Sequence, residues 1–254
     1  KVYGDAPASI YHGTHVAGIA AAKTNNSAGV AGVNWYAQLL SKKIEGLDDA
    51  GTSQKIIDAV NYGSNVNVLN NSWVLINDDY SPRNSITVHM AFAYAYNQNR
   101  VAVCANGNFQ IPYPGQTYYP AGFGQGILAV GATGENDGRA DFSQANTSID
   151  VSAPGVLILS TYRNGNYPGD PDYHTTEGTS MAAPVVSGIA SLLKGYNPYL
   201  SNDDIEHIIQ LSADKVTGMN GQNWTTEYGY GRVNARKALD YLRSPYTLAH
   251  RSSS

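Results

Sequence analysis

Two stretches of the chain place a reactive side chain at the head of an apolar run: "HGTHVAG", from His12, and "GTSMAAP", from Gly178. A serine hydroxyl becomes a nucleophile when a neutral imidazole removes its proton, and His12 and Ser180 supply those two groups. Pro184 stands four residues beyond Ser180. Proline is harmless in the first turn of a helix, where its missing N–H had no partner, so Pro184 predicts a helix start close to Ser180. Unpaired N–H groups and the positive dipole end favour an anion there, and an oxyanion beside Ser180 would meet the serine's own N–H. Taken singly, Ser180 reads as an N-cap and His12 or His15 as a core histidine. Their combination argues for chemistry. The His-x-x-His spacing lacks the glutamate of HExxH, and no third zinc ligand is evident.

The elements that must position these groups alternate along the chain. Apolar stretches of strand length occur at Ala37–Ile44, Val66–Trp73, Arg100–Ala105, "GILAVGA" and "IDVSAP". Helical periodicity marks "SQKIIDAVNYGS", with Ile56, Ile57 and Val60 on one side, and "SITVHMAFAYAYNQN". "NDDIEHIIQLSAD" reads as a later helix with Asn202 as its cap and two acids in its first turn. "HVAGIAAA" and "MAAPVVSGIASLL" carry almost no charge on any side, the mark of buried helices, and His12 is read as preceding the first of them. The pattern predicts an α/β fold: a mostly parallel central sheet with helices on both faces and its site at the carboxyl ends of the strands.

At 254 residues the chain suits one large domain, set at 1–243, followed by a polar tail at 244–254. A net charge of −4 leaves no basic face for nucleic acid, and no apolar run is long enough to span a bilayer. With Cys104 as the only cysteine, no intramolecular disulfide forms. The opening "KVYGDAP" reads as part of a longer precursor.

Taken together, "HGTHVAG" and "GTSMAAP" resemble the histidine and serine signatures of the subtilisin-like serine peptidases, the subtilases. Between them "ANGN" (Ala105, Asn106, Gly107, Asn108) is similar to the family's oxyanion segment, in the family's order of His, Asn, Ser. Similarity continues through "TNNSAGVAGV", "ILAVGA", "FSQANTSIDVSAPG" and "GYGRVNARKAL". The resemblance implies a three-layer subtilisin-like fold and peptide hydrolysis outside the cell, with Ser180 as nucleophile, His12 as base and Asn108 as oxyanion donor. Read alone, Asn108 is a turn residue of an Asn-Gly-Asn run.

The family's aspartate precedes its histidine on a strand with a D-T/S-G-like sequence, and this chain has no such motif. One acid stands ahead of His12, Asp5, in a loop unlike that strand. Seven residues reach far enough, but a terminus orients an imidazole poorly. A propeptide or N-terminal segment is therefore expected to supply the strand. The resemblance further sets Ser72, Trp73 and Val74, with Ala105, Asn106 and Gly107, along the groove of a polypeptide substrate. Tyr118 lies near the base of the first pocket, predicting a small or shallow one. For Trp73, core packing is an equal alternative. "TNNSAGV" is similar to the family's calcium loop and implies the side-chain oxygen of Asn26 with carbonyls of Thr24, Ala28 and Val30; a polar turn is the plain alternative. No organic cofactor is expected. Two rivals remain: a catalytically impaired relative that binds extended peptides, and an α/β-hydrolase esterase. The latter wants a G-x-S-x-G elbow with histidine last in the chain, whereas here histidine comes first.

Overall fold

The computed structural model describes residues 2–3, 9–44, 46–63, 66–162 and 172–243. In chain order the strands are β1 (Val2–Tyr3), β2 (Val68–Asn71), β3 (Val74–Leu75), β4 (Val101–Ala105), β5 (Ile127–Thr133), β6 (Val151–Pro154), β7 (Ile158–Thr161) and β8 (Tyr173–Thr176). The α-helices are α1 (Ser9–Ala21), α2 (Asp49–Asn61), α3 (Ile86–Asn97), α4 (Thr179–Tyr196), α5 (Asn202–Ser212) and α6 (Ala235–Arg243). Strands β2, β4, β5 and β6 form a parallel sheet in the order β2-β4-β5-β6.

Alternation along β4 and β5 assigns the two faces. Val101, Val103 and Ala105, with Leu128, Val130 and Ala132, join one core with Ala182, Val186, Ile189 and Leu193 of α4 and Ile205 and Ile209 of α5. Ala102, Cys104, Ile127 and Ala129 face the other way, onto Ile56 of α2 and Val88, Ala91 and Phe92 of α3. A strand buried on both faces must be apolar at every position, and all five residues of β4 and all seven of β5 are buried. The predicted α/β architecture, with helices on both faces, is what the chain adopts.

Four local expectations are corrected. Residues 37–44 form no strand, and Leu39 is 58% exposed. An apolar run becomes a strand only by pairing, and among the described residues no strand lies on the outer side of β2. The cap of α5 is Ser201 rather than Asn202, because Ser201 and Asp204 form a reciprocal capping box. Helix α1 begins at Ser9, so His12 lies within its first turn instead of ahead of it. Helix α4 begins at Thr179 behind the N-cap Gly178, which puts Pro184 in the second turn. Asp5 and residues 244–254 lie outside the described residues.

Candidate active site

The amino end of α4 is built around a backbone that only glycine tolerates. Gly178 has φ 146°, and a Cβ there would stand 3.2 Å from Nδ2 of Asn108. Its amide donates to the carbonyl of Gly155 (2.8 Å), which docks the helix start at the end of β6. The next residue, Thr179, is fully buried. Its N–H and its hydroxyl both donate to Oδ1 of Asn108, at 2.9 and 2.8 Å. Two donors on one oxygen settle the orientation of the carboxamide: Oδ1 faces Thr179, and Nδ2 lies beside Gly178 as a donor. The Thr179 hydroxyl also accepts from the amide of Gly107 (3.2 Å), tying the segment after β4 to the helix. Thr179 stands in the quoted "GTS", yet its role depends on a partner 71 residues away and has no local signature.

Ser180 is 8% exposed. Its hydroxyl donates to the carbonyl of Ser72 over a long 3.3 Å, and its own carbonyl accepts from the Ser72 hydroxyl at 2.8 Å. As the second residue of the helix it has an N–H with no intrahelical acceptor. The donor end of Asn108 and this N–H thus flank the same helix start, the arrangement that stabilises negative charge on a reacting oxygen.

Half-buried His12 reaches this region through the packing of α1. Val16, one turn beyond His12 on the same face, and Ile19 pack against Met181, the neighbour of Ser180. The hairpin β7–β8 fixes the other side of α1. Ser160 Oγ donates to the carbonyl of His15 and Thr161 Oγ1 to that of Thr14, both at 2.8 Å. A Cβ on Gly18 would collide with the same two side chains, so glycine lets helix and hairpin meet. His15 is buried, with Nε2 3.0 Å from the carbonyl of His174. Burial pushes its pKa down, outweighing that bond, and so favours the neutral ring. His15 is a core histidine. Among the described residues no three His, Cys, Asp or Glu side chains gather to hold a metal ion.

Of the expected groove residues, Trp73, Ala105 and Asn106 turn their side chains inward. Trp73 packs on Phe92, with ring centroids 6.2 Å apart. Ala105 belongs to the sheet core, and Asn106 Nδ2 donates to the carbonyl of Gln144 (2.9 Å). What these three can offer a ligand is backbone. Val74, Ile76 and Tyr118 form a separate apolar cluster with Phe109. The Tyr118 ring stacks on Phe109 (4.9 Å) and lies against Gly107, whose φ of 105° and lack of a Cβ admit the ring at that distance. Burial pushes the Tyr118 phenol up to about 12. The edge of β3 accepts extended backbone: Val2 and Tyr3 pair with Leu75 and Val74 in antiparallel register.

Thr24, Asn26, Ala28 and Val30 line one open concavity of about 340 Å³ formed by residues 24–31. Asn26 Oδ1 accepts from the Ala28 amide (3.2 Å), and Thr24 Oγ1 donates to the carbonyl of Ala22. Every oxygen lining this concavity is neutral.

Comparison with known proteins places these features in a family. The model of the subtilase family, Peptidase S8, matches residues 4–231. The chain is 37% identical over 234 residues to thermitase of Thermoactinomyces vulgaris, covering 91% of this chain and 75% of that protein. A thermophilic serine proteinase of Bacillus sp. strain AK1 is also 37% identical, over 91% of this chain; here the chain spans 52% of the relative's length. Among solved structures, a protease from Pseudoalteromonas arctica PAMC 21717 superposes with a TM-score of 0.75 at 33% identity, over 90% of this chain and 70% of that one. Fervidolysin of Fervidobacterium pennivorans, a keratinolytic enzyme related to subtilisin, gives 0.76 at 30% identity, over 91% of this chain and 36% of that one.

Proposed function

Because this chain belongs to the subtilase family of serine peptidases, we propose that it hydrolyses internal peptide bonds with Ser180 as nucleophile and His12 as general base. Oγ of Ser180 attacks the peptide carbonyl carbon while His12 takes the hydroxyl proton. The carbonyl oxygen, now negative, accepts from Nδ2 of Asn108 and the N–H of Ser180. Collapse breaks the C–N bond, and His12 returns its proton to the leaving amine. Water then attacks the acyl-enzyme with His12 again as base, releasing the acid and restoring Ser180. The observation that carries this reading is the locked carboxamide of Asn108, held by two bonds from Thr179 with its donor end beside the nucleophile's turn. A fluorophosphonate probe tests it. Mass spectrometry is expected to find the adduct on Ser180, and His12→Ala is expected to abolish it. Labelling that survives His12→Ala at full rate rejects the assignment of the base.

The aspartate that orients the histidine in this family is assigned to a strand from a propeptide or N-terminal segment lying against the outer side of β2. That side carries no strand among the described residues. A second reading rests on the same feature: without that acid the chain binds extended peptides along β3 and turns over slowly.

An extended polypeptide is the proposed ligand of the β3 edge, taking the place that Val2 and Tyr3 hold in this structure. Val74 and the Tyr118–Phe109 stack narrow the first pocket, so small side chains are preferred before the scissile bond. A peptide panel in which Phe or Tyr is strongly preferred there contradicts this. The loop at residues 24–31 is assigned a structural Ca²⁺, held by the side chain of Asn26 and carbonyls of Thr24, Ala28 and Val30. Oxygen-only donors suit a hard cation, and the lack of a carboxylate implies weak binding. Action outside the cell is proposed on the same family grounds.

A further inference from the structure

Within a regular helix the carbonyl of Ser180 would accept from the N–H of residue 184. Residue 184 is proline, which has no N–H and whose ring crowds the carbonyl four residues before it. The nucleophile's carbonyl is therefore released from its own helix by the sequence. Its partner is the hydroxyl of Ser72, at 2.8 Å.

Ser72 does not act alone. Having spent its single proton on Ser180, its oxygen accepts from Nδ2 of Asn70 at 3.0 Å. That turns Oδ1 of Asn70 toward α4, where it accepts from Ser187 Oγ at 2.7 Å. The donors run one way, from Ser187 to Asn70 to Ser72 to the Ser180 carbonyl, and the chain both begins and ends on α4. Ser72 also presents the backbone carbonyl that receives the Ser180 hydroxyl. A shift of Ser72 would move both oxygens of the nucleophile at once. Ser72 and Ser187 are 6% and 5% exposed, so water does not readily replace either bond.

We infer that Asn70 and Ser187 are positioning residues. Acting through the side chain of Ser72, they supply the hydrogen bond that Pro184 denies to Ser180 and so fix the turn that carries the nucleophile. The inference rests on the peptidase reading for its effect on rate, and on geometry alone for the coupling between Ser72 and Pro184.

The test is a double-mutant cycle with two readouts. In the parent chain, Ser72→Ala is expected to slow fluorophosphonate inactivation roughly tenfold at saturating probe, with the half-saturation concentration within about twofold. Asn70→Ala slows it less, and has no further effect once Ser72 is Ala. Pro184→Ala restores an amide at residue 184, so in that background Ser72→Ala costs no further rate. Thermal unfolding gives the second readout: Ser72→Ala lowers the Tm further when residue 184 is proline than when it is alanine, where only the bond from Asn70 is lost. Equal losses in the two backgrounds, in rate or in Tm, overturn the relay. A parent chain that is never labelled, but shows the Tm coupling, rejects the peptidase reading and keeps the relay. Should Ser72→Ala not fold, Asn70→Ala in the same cycle with Pro184→Ala decides the matter.

Discussion

At the β6 edge of the sheet, Ser152 donates its amide to Gly231 and accepts from Val233, both at 2.9 Å; at the β2 edge no strand lies alongside among the described residues. The β6 side is finished further by charge. Arg232 reaches Asp137 at 2.6 Å and Asp214 at 2.8 Å, and Lys237 and Asn234 also donate to Asp214. Trp35, Tyr36, Leu39 and Leu40, of the stretch that pairs with no strand, face solvent. Ser180, Thr179 and Asn108 hang from β4, β6 and α4, where the backbone and side-chain bonds close on one another. The strand proposed above to carry an acid toward His12 would take this open side. One edge of the sheet is thus closed by backbone pairing and charge, while the other leaves room for the added strand proposed above.

Breaking that asymmetry at its open side has the largest expected effect. Joining an upstream segment with an aspartate-bearing strand to Lys1 is expected to raise kcat by about 10⁴, the scale on which serine proteases lose activity without this residue. Peptidase assays on the two chains check it, and equal kcat values would place the orienting acid elsewhere. Next, Asn108→Ala on the finished side is expected to cost about 10²–10³ in kcat with little change in KM, the magnitude established in subtilisin for the same kind of donor. A loss confined to KM would make Asn108 a binding residue only.

Two smaller effects sharpen the comparison through pH. Burial against α5 pushes the Asp150 carboxyl up to about 7, above its ordinary value of 3.8, even though Ala129 and Gln210 donate to it. A raised carboxyl pKa means the folded state prefers the protonated form, so stability is full below about pH 4 and is lost as pH rises through 7. Asp150→Asn is therefore expected to stabilise the chain by about 2 kcal/mol at pH 8.5 and to change little at pH 4. Denaturant unfolding at the two pH values checks this, and equal shifts contradict it. Asp214 has the opposite sign. Burial alone would raise it, but hydrogen bonds from Lys237, Arg232 and Asn234 outweigh that and hold it at about 2. Its contribution is complete above about pH 4 and fades as pH falls through 2. Arg232→Ala is expected to cost about 1 kcal/mol at pH 7 and nearly nothing near pH 2, read by the same unfolding curves.

The parts that were legible in the sequence are those whose environment is uniform along the chain. Strands β4 and β5 are buried on both faces and read as unbroken apolar runs. Ala37–Ile44 has the same apolar look, but a strand needs a ladder as well as a composition. His12, Ser180 and Asn108 stand out as candidates because their residue types lie beside Gly-Thr pairs or in "NGN". Thr179 and the chain from Ser187 to Ser72 were not, since each joins residues that lie far apart in sequence: 71 positions between Thr179 and Asn108, and 117 between Ser187 and Asn70. Trp73 shows the converse, a residue placed along the groove by its neighbours whose ring belongs to the core.

A crystal structure of the chain phosphonylated at Ser180 tests the central claim most directly. A phosphonyl oxygen is expected within hydrogen-bond distance of both Nδ2 of Asn108 and the N–H of Ser180, with a ring nitrogen of His12 facing Oγ. An adduct whose oxygen meets neither donor, or a His12 ring turned away from the ester oxygen, would contradict it.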